Sequence, residues 1–351
     1  MSSTHSPTGV PWPDALRRTA FERWLMPLAQ TFQLDAMTLA PASADASFRR
    51  YLRIASPTRT FIVMDAPPPH EDVRPFVDIA ARIKAAGLHA PDVLAVDEVQ
   101  GFLLLSDLGS TLYLQALSGA EPAEADRLMR AAIGALVQWQ ASVDASGLPA
   151  YDDALLRREL QLFPDWCVQR EFNVTWNDAQ HATWQRLCDL LVQSALAQPC
   201  VAVHRDWMPR NLMLADPNPA ILDFQDAVSG PIAYDMASLL RDAFWSWDEE
   251  REIDWAARYW EQARRAALPV REDFGLFWRD LEWIGLQRHL KVLGIFCRLK
   301  HRDGKPKYAE DLPRFFAYAT KVATRYRELE PLISLLEPLS GMKAAVAYSL
   351  R

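Results

Sequence analysis

Segments with strand character crowd the first third of the chain and then almost vanish, which leaves few architectures open. Met37–Leu39, Ser47–Ile54 and Thr60–Met64 are separated by Pro41–Ala46 and by the turn-forming Ser56-Pro57-Thr58, so they read as three consecutive antiparallel strands. A helix follows over about Pro75–Ala86 and stops at Gly87, and two more short strands are expected at Val93–Val96 and Phe102–Leu105. Ahead of them, Phe21, Trp24, Leu25, Leu28 and Phe32 recur at helical spacing within 14–35. From Glu124 onward the pattern is helical almost to the end, broken only by apolar runs at Cys200–His204, Leu212–Leu214 and Ala220–Phe224. The spacing predicts an α+β protein of three parts: a leading helical segment over 1–35, a small β-rich unit over 36–108 and a large helical unit over 109–351.

Size agrees, because 351 residues exceed what one ordinary core fills. The 38 Lys and Arg residues are outnumbered by 45 Asp and Glu, giving a formal charge of -7 and no general attraction for nucleic acid. A single nucleotide is still compatible, since its site needs only a few donors and a divalent cation. Cys167, Cys188, Cys200 and Cys297 show neither zinc-ligand spacing nor a disulfide framework, and read as reduced and packed. Residues 1–13 are polar, and no run has the length of a membrane span, so a cytoplasmic protein is expected.

The chemistry concentrates in Val201-Ala202-Val203-His204-Arg205-Asp206-Trp207-Met208-Pro209-Arg210-Asn211 and the Ile221-Leu222-Asp223-Phe224 that follows it. An apolar run delivers a His-Arg-Asp loop, an asparagine follows five residues after the aspartate, and a hairpin returns a second carboxylate. Phosphoryl transfer is largely positioning and charge stabilisation. It needs a carboxylate to orient and deprotonate a hydroxyl, for which Asp206 is suited, and oxygen ligands for Mg²⁺, for which Asn211 and Asp223 are suited. His204 and Arg210 complete the candidate catalytic set. The alternative is a buried His-Asp pair capping a turn. A second His-Arg-Asp at 301–303 has Tyr308 in the asparagine position and lies in a polar Gly-Lys-Pro loop, so it is rejected. A zinc site at His204 and Asp206 lacks a third ligand at suitable spacing.

With Asp226-Ala227, Gly230-Pro231 and Tyr234-Asp235-Met236-Ala237-Ser238, this stretch resembles the aminoglycoside phosphotransferase and choline kinase branch of the protein-kinase-like fold. The resemblance implies two lobes, ATP as phosphoryl donor, and Asp235 as structural support for the catalytic loop; a plain helix cap is compatible with that. Asp45-Ala46-Ser47-Phe48-Arg49-Arg50-Tyr51, Met64-Asp65-Ala66-Pro67-Pro68 and Gln287–Phe296 resemble more closely the anomeric N-acetylmuramate/N-acetylglucosamine kinases of cell-wall recycling. That likeness spans about 20–320. It implies ATP-dependent phosphorylation of the C1 hydroxyl of an amino sugar to the α-1-phosphate, which a uridylyltransferase would consume.

The chain departs from the wider kinase pattern in having no glycine in 41–47 and a methionine, Met64, near where a phosphate-holding lysine is expected. On an extended strand Arg50 shares a face with Phe48, Leu52 and Ile54, so Arg50 is the first substitute phosphate contact, with Arg49 the second and Ser47 beside them. An arginine reaching from a strand edge to water fits equally well. By analogy, adenine is expected against Leu103–Ser106, making Leu105 and Asp107 nucleotide contacts. For the sugar, the helical part supplies flat apolar surfaces and donors, as an amphipathic sugar requires: Trp207, Arg288, His289 and Lys291, with Trp245, Trp247 and Trp283 as further candidates, though most tryptophans must be core. Arg288 and Lys291 share a helix face and meet a hydroxyl, a lactyl carboxylate or an acidic neighbour. Two other readings stay open: the same chemistry on an aminoglycoside, choline-like alcohol or homoserine, and a kinase-like binding protein without turnover.

Overall fold

The computed structural model describes residues 10–43, 49–243 and 245–340, and these fall into two compact units. Asp45–Phe48, and with them the candidate nucleotide contact Ser47, lie outside the described residues.

The first unit runs to Leu112 and includes Met213–Asp226. Helix α1 (Ala15–Phe32) starts on Asp14, whose side chain accepts the Arg17 amide, a cap that satisfies one of the first-turn N–H groups. Strands β1 (Asp35–Ser43), β2 (Arg50–Ala55), β3 (Thr60–Asp65), β4 (Val93–Asp97) and β5 (Phe102–Ser106) form one antiparallel sheet in the order β1-β2-β3-β5-β4. Helix α2 (Arg74–Ala85) connects β3 to β4. Alternation decides what the sheet buries: Leu52 and Ile54 of β2, Phe61 and Val63 of β3, and Phe102 and Leu104 of β5 share one cluster with Phe21 and Leu25 of α1.

Residues 213–226 belong to this unit although the sequence pattern assigns all of 109–351 to the helical one. The reason is local pairing. Leu214 donates its amide to the Thr111 carbonyl at 2.9 Å, Ile221 donates to the His89 carbonyl at 2.8 Å, and Phe224 packs on Phe76 with ring centroids 4.7 Å apart. The strands β7 (Leu212–Met213) and β8 (Ala220–Ile221) pair across the connection that carries them.

The second unit is mainly helical. Its described helices are α3 (Tyr113–Leu117), α4 (Pro122–Ser142), α5 (Asp153–Leu162), α6 (Asp178–Leu196), α7 (Tyr234–Leu240), α8 (Glu249–Arg265), α9 (Phe274–His301), α10 (Leu312–Arg325) and α11 (Ile333–Ser340). Strand β6 (Cys200–Val203) pairs antiparallel with β9 (Val228–Pro231), a partner that the sequence pattern does not announce. Arg241, just past α7, is fully buried and bridges Glu252 of α8 at 3.1 Å and Glu282 of α9 at 2.9 Å, so three helices share one interior ion network. Among the described residues no helix is long and apolar enough to cross a membrane.

Helix α9 is buried almost all round from Asp280 to Cys297, as expected of a central helix. It meets the end of α5 at Gly294, where a Cβ would stand 2.3 Å from the Leu162 carbonyl carbon. Backbone atoms cannot yield as a side-chain tip can. Gly294→Ala is therefore expected to lower stability by about 1–3 kcal/mol, as overpacking does. The denaturant midpoint measures this, and an unchanged midpoint would show that the two helices separate freely.

Candidate active site

The loop that carries Asp206 is fixed from behind. Strand β6 is buried at Val201, Ala202 and Val203 and runs directly into His204. Asp235, in the first turn of α7 and 0% exposed, accepts the His204 amide at 2.7 Å on Oδ2 and the Arg205 amide at 2.9 Å on Oδ1. Burial pushes the Asp235 carboxyl up to about 7, against the two amides, which pull it down. Arg205 has φ 76°, a left-handed conformation that costs a non-glycine residue about 1–2 kcal/mol. The Asp235 contact and a 2.5 Å ion pair from Arg205 to Glu159 hold it there.

Asp206 follows, half-buried. Its carbonyl accepts a hydrogen bond from Nδ2 of Asn211 at 2.9 Å, and Asn211 sits in a 3₁₀ turn over Pro209–Asn211. With the amide nitrogen on the Asp206 carbonyl, Oδ1 of Asn211 points away from that contact. Main-chain and side-chain bonds thus fix the loop on both sides of Asp206, while its carboxylate takes no hydrogen bond from the described residues. Such a group is available to a ligand.

Glu159 is the residue that sequence reasoning misses. It lies on α5, 5% exposed, and its carboxylate gathers Arg205 at 2.5 Å, Lys291 at 3.0 Å, Gln287 at 3.2 Å and the Tyr151 hydroxyl. Burial pushes the Glu159 carboxyl up, but Lys291 and Arg205 outweigh it and hold the carboxyl below its usual range. Lys291 also donates to the Tyr234 hydroxyl at 3.1 Å. Burial lowers the Lys291 ammonium, and the fields of Tyr234 and Glu159 more than restore it. One signal was available: Leu156, Glu159, Leu160 and Phe163 fall on one face at helical spacing, and an acid on an apolar face calls for a buried cation.

Several expected contacts have other roles. His204 is 1% exposed, receives the Asp206 amide on Nδ1 at 3.3 Å and stands edge-on to Trp207, so it positions the loop rather than meeting substrate. Trp207 is fully buried and His289 is 0% exposed, stacked on Tyr318 with centroids 4.9 Å apart. Burial drives the His289 imidazole well below its ordinary range, leaving it neutral. Both are core residues, each side chain enclosed by its own packing. Arg210 lies in the same turn as Asn211 and is half-buried.

In the first unit the order of the two arginines reverses. Arg50 faces α1, as alternation requires, and pairs through Nε at 3.0 Å and Nη2 with Asp65, directly across the β2–β3 ladder. Arg17 of α1 closes on the other Asp65 oxygen at 2.5 Å. Arg50 is thus occupied by a structural ion cluster and is withdrawn as a phosphate contact. Arg49 lies 3.4 Å from Glu71. Leu105 is buried and paired in register with both Ile62 and Val93, so neither its side chain nor a free strand edge meets a base. Asp107 accepts Arg53 at 2.6 Å, the Thr60 hydroxyl at 2.6 Å and the Gly109 amide at 2.9 Å, which makes it a latch at the end of the sheet. Asp223 is half-buried with φ 58°, and its Oδ1 accepts Gln225 at 2.9 Å. A left-handed, non-glycine carboxylate after a hairpin stores strain of the kind found at ligand sites.

A family model described as "Phosphotransferase enzyme family" (APH) matches residues 38–274. The chain belongs to that family. This phosphotransferase is 54% identical over 302 residues to the N-acetylmuramate/N-acetylglucosamine kinase of Pseudomonas aeruginosa, covering 86% of this chain and 88% of that protein. It is 45% identical to the kinase of the same name from Neisseria meningitidis, over 93% and 96% of the two chains. Among solved structures, the ADP-bound aminoglycoside phosphotransferase APH(2'')-Ib superposes with a TM-score of 0.58 at 13% identity, covering 88% of this chain and 99% of that one. Choline kinase LicA from Streptococcus pneumoniae gives 0.57 at 10% identity, covering 88% and 100%. The fold of this phosphotransferase is therefore protein-kinase-like, with a small antiparallel lobe and a large helical one, and the protein is a kinase.

Proposed function

We propose that this kinase transfers the γ-phosphoryl group of ATP to the anomeric C1 hydroxyl of N-acetylmuramate, N-acetylglucosamine or both, giving the α-1-phosphate. The observation that carries the reading is Asp206, a carboxylate without a partner among the described residues, on a loop held rigid by Asp235, Glu159 and Asn211. The names and high identity of the relatives supply the acceptor class.

In the proposed reaction the sugar hydroxyl donates its hydrogen bond to Asp206 and attacks the γ-phosphorus in line. Asp206 accepts the proton as the new O–P bond forms, and the bond to the ADP oxygen breaks. Asn211 and Asp223 each carry a hard oxygen donor, the donor type that Mg²⁺ takes. With these residues as its ligands, magnesium would supply charge neutralisation on the phosphates. Asp223→Ala is expected to raise the KM for ATP by at least about tenfold and to shift the Mg²⁺ optimum upward. Titrating both ions against turnover measures it, and unchanged values would remove Asp223 from the site.

The decisive experiment is NMR of the product after incubation with ATP, Mg²⁺ and each sugar. A phosphorus-coupled anomeric signal with the α coupling is expected. A phosphate on any other oxygen would overturn the position, and no phosphorylated sugar would overturn the acceptor class. A cytoplasmic setting supplies ATP, and a sugar-1-phosphate uridylyltransferase acting in peptidoglycan recycling is the natural consumer of the product.

A further inference from the structure

Among the described residues of this region, Arg288 is the cation whose charge the protein leaves unmatched. Arg205 and Lys291 share the Glu159 carboxylate, and Lys291 has the Tyr234 hydroxyl as well. Arg288 lies one turn before Lys291 on the same face of α9 and is 3% exposed. Its Nη1 is buried without a hydrogen-bond partner, and no carboxylate of the described residues forms an ion pair with it. Asp235 is the acid whose field reaches it, but both Asp235 oxygens are taken by the amides of His204 and Arg205. Burying a guanidinium N–H without a hydrogen-bond partner is unfavourable. A bound anion offsets that cost through a bidentate contact whose geometry matches the guanidinium fork.

We propose that Arg288 is the specificity-determining residue that receives the acceptor's carboxylate. The inference rests on the amino-sugar reading and deepens it. N-acetylmuramate differs from N-acetylglucosamine by a lactyl ether whose carboxylate is ionised at neutral pH. A site holding one unmatched, buried guanidinium near the phosphoryl-accepting loop distinguishes these two sugars by that group alone. Arg288 therefore acts on acceptor affinity, and Asp206 acts on the chemical step.

The test uses the full chain and compares kcat/KM for N-acetylmuramate, its neutral carboxamide and N-acetylglucosamine, in the wild type, Arg288→Met and Arg288→Lys. The wild type is expected to prefer the carboxylate over the carboxamide by about ten- to hundredfold, the range for a hydrogen bond to a charged group. Arg288→Met should collapse that preference, mainly through KM, and Arg288→Lys should keep part of it, since an ammonium retains charge without the fork. Should Arg288→Met fail to fold, Arg288→Lys decides through the same ratio. Equal use of carboxylate and carboxamide by the wild type would overturn the proposal. So would variants that lose activity on both sugars in the same proportion, as expected if Arg288 only supports Asp235. Failure of the wild type to phosphorylate either sugar would instead sink the amino-sugar reading itself.

Discussion

Replacing Asp206 with alanine is expected to lower turnover by about 10² to 10⁴ while nucleotide still binds. A positioned general base contributes about that much, and Asp206 is the carboxylate of its loop that no donor among the described residues occupies. Folding should be little affected, because the bonds that fix the loop run through the Asp206 main chain, which alanine keeps. Coupled measurement of ADP release, beside a nucleotide titration of the same variant, separates the two effects. Near-normal sugar phosphorylation by Asp206→Ala would remove it as the base.

Asp235→Ala should act in the opposite way, through structure first. Two buried amides, those of His204 and Arg205, would lose their acceptors, and leaving such groups unpaired costs about 2 to 4 kcal/mol. Arg205 would also lose a restraint on its left-handed backbone, so turnover should fall along with the denaturation midpoint. Asp235→Asn, which keeps the shape and one acceptor oxygen, should recover part of both. A further signature lies in pH. Burial raises the folded-state value to about 7, above the ordinary carboxyl range, so folding takes up a proton at this group. Its contribution to stability is greatest below about pH 4 and is lost as the pH rises through 7. Asp235→Asn should flatten that part of the stability curve, and an identical curve would show that the group does not titrate there.

The sequence already displays what depends on local pattern. The five strands of the first unit, the helix between them and the strand that leads into the Asp206 loop follow from alternation, turn residues and apolar runs. Asp235 is legible because a motif marks it. Pairings across long stretches of chain are not legible. Arg50 lies on the face that alternation assigns it, yet only the β2–β3 register places Asp65 opposite it. Glu159 meets Gln287 across a separation of 128 positions, and nothing near either residue announces the other. Trp207 and His289 are enclosed by packing from distant parts of the chain, so the sequence around them does not distinguish a ligand contact from core.

The discontinuous make-up of the first unit also bears on biosynthesis. Its sheet and α2 emerge early, but Met213–Asp226, which pairs with Thr111 and His89 and sets Phe224 on Phe76, is separated from them by all of Tyr113–Leu212. A nascent chain therefore holds an unfinished β-rich unit, with the ring of Phe76 uncovered, until a long stretch of the helical unit has left the ribosome. Cutting the gene after Leu112 would yield not a free-standing domain but a fragment with an open flank.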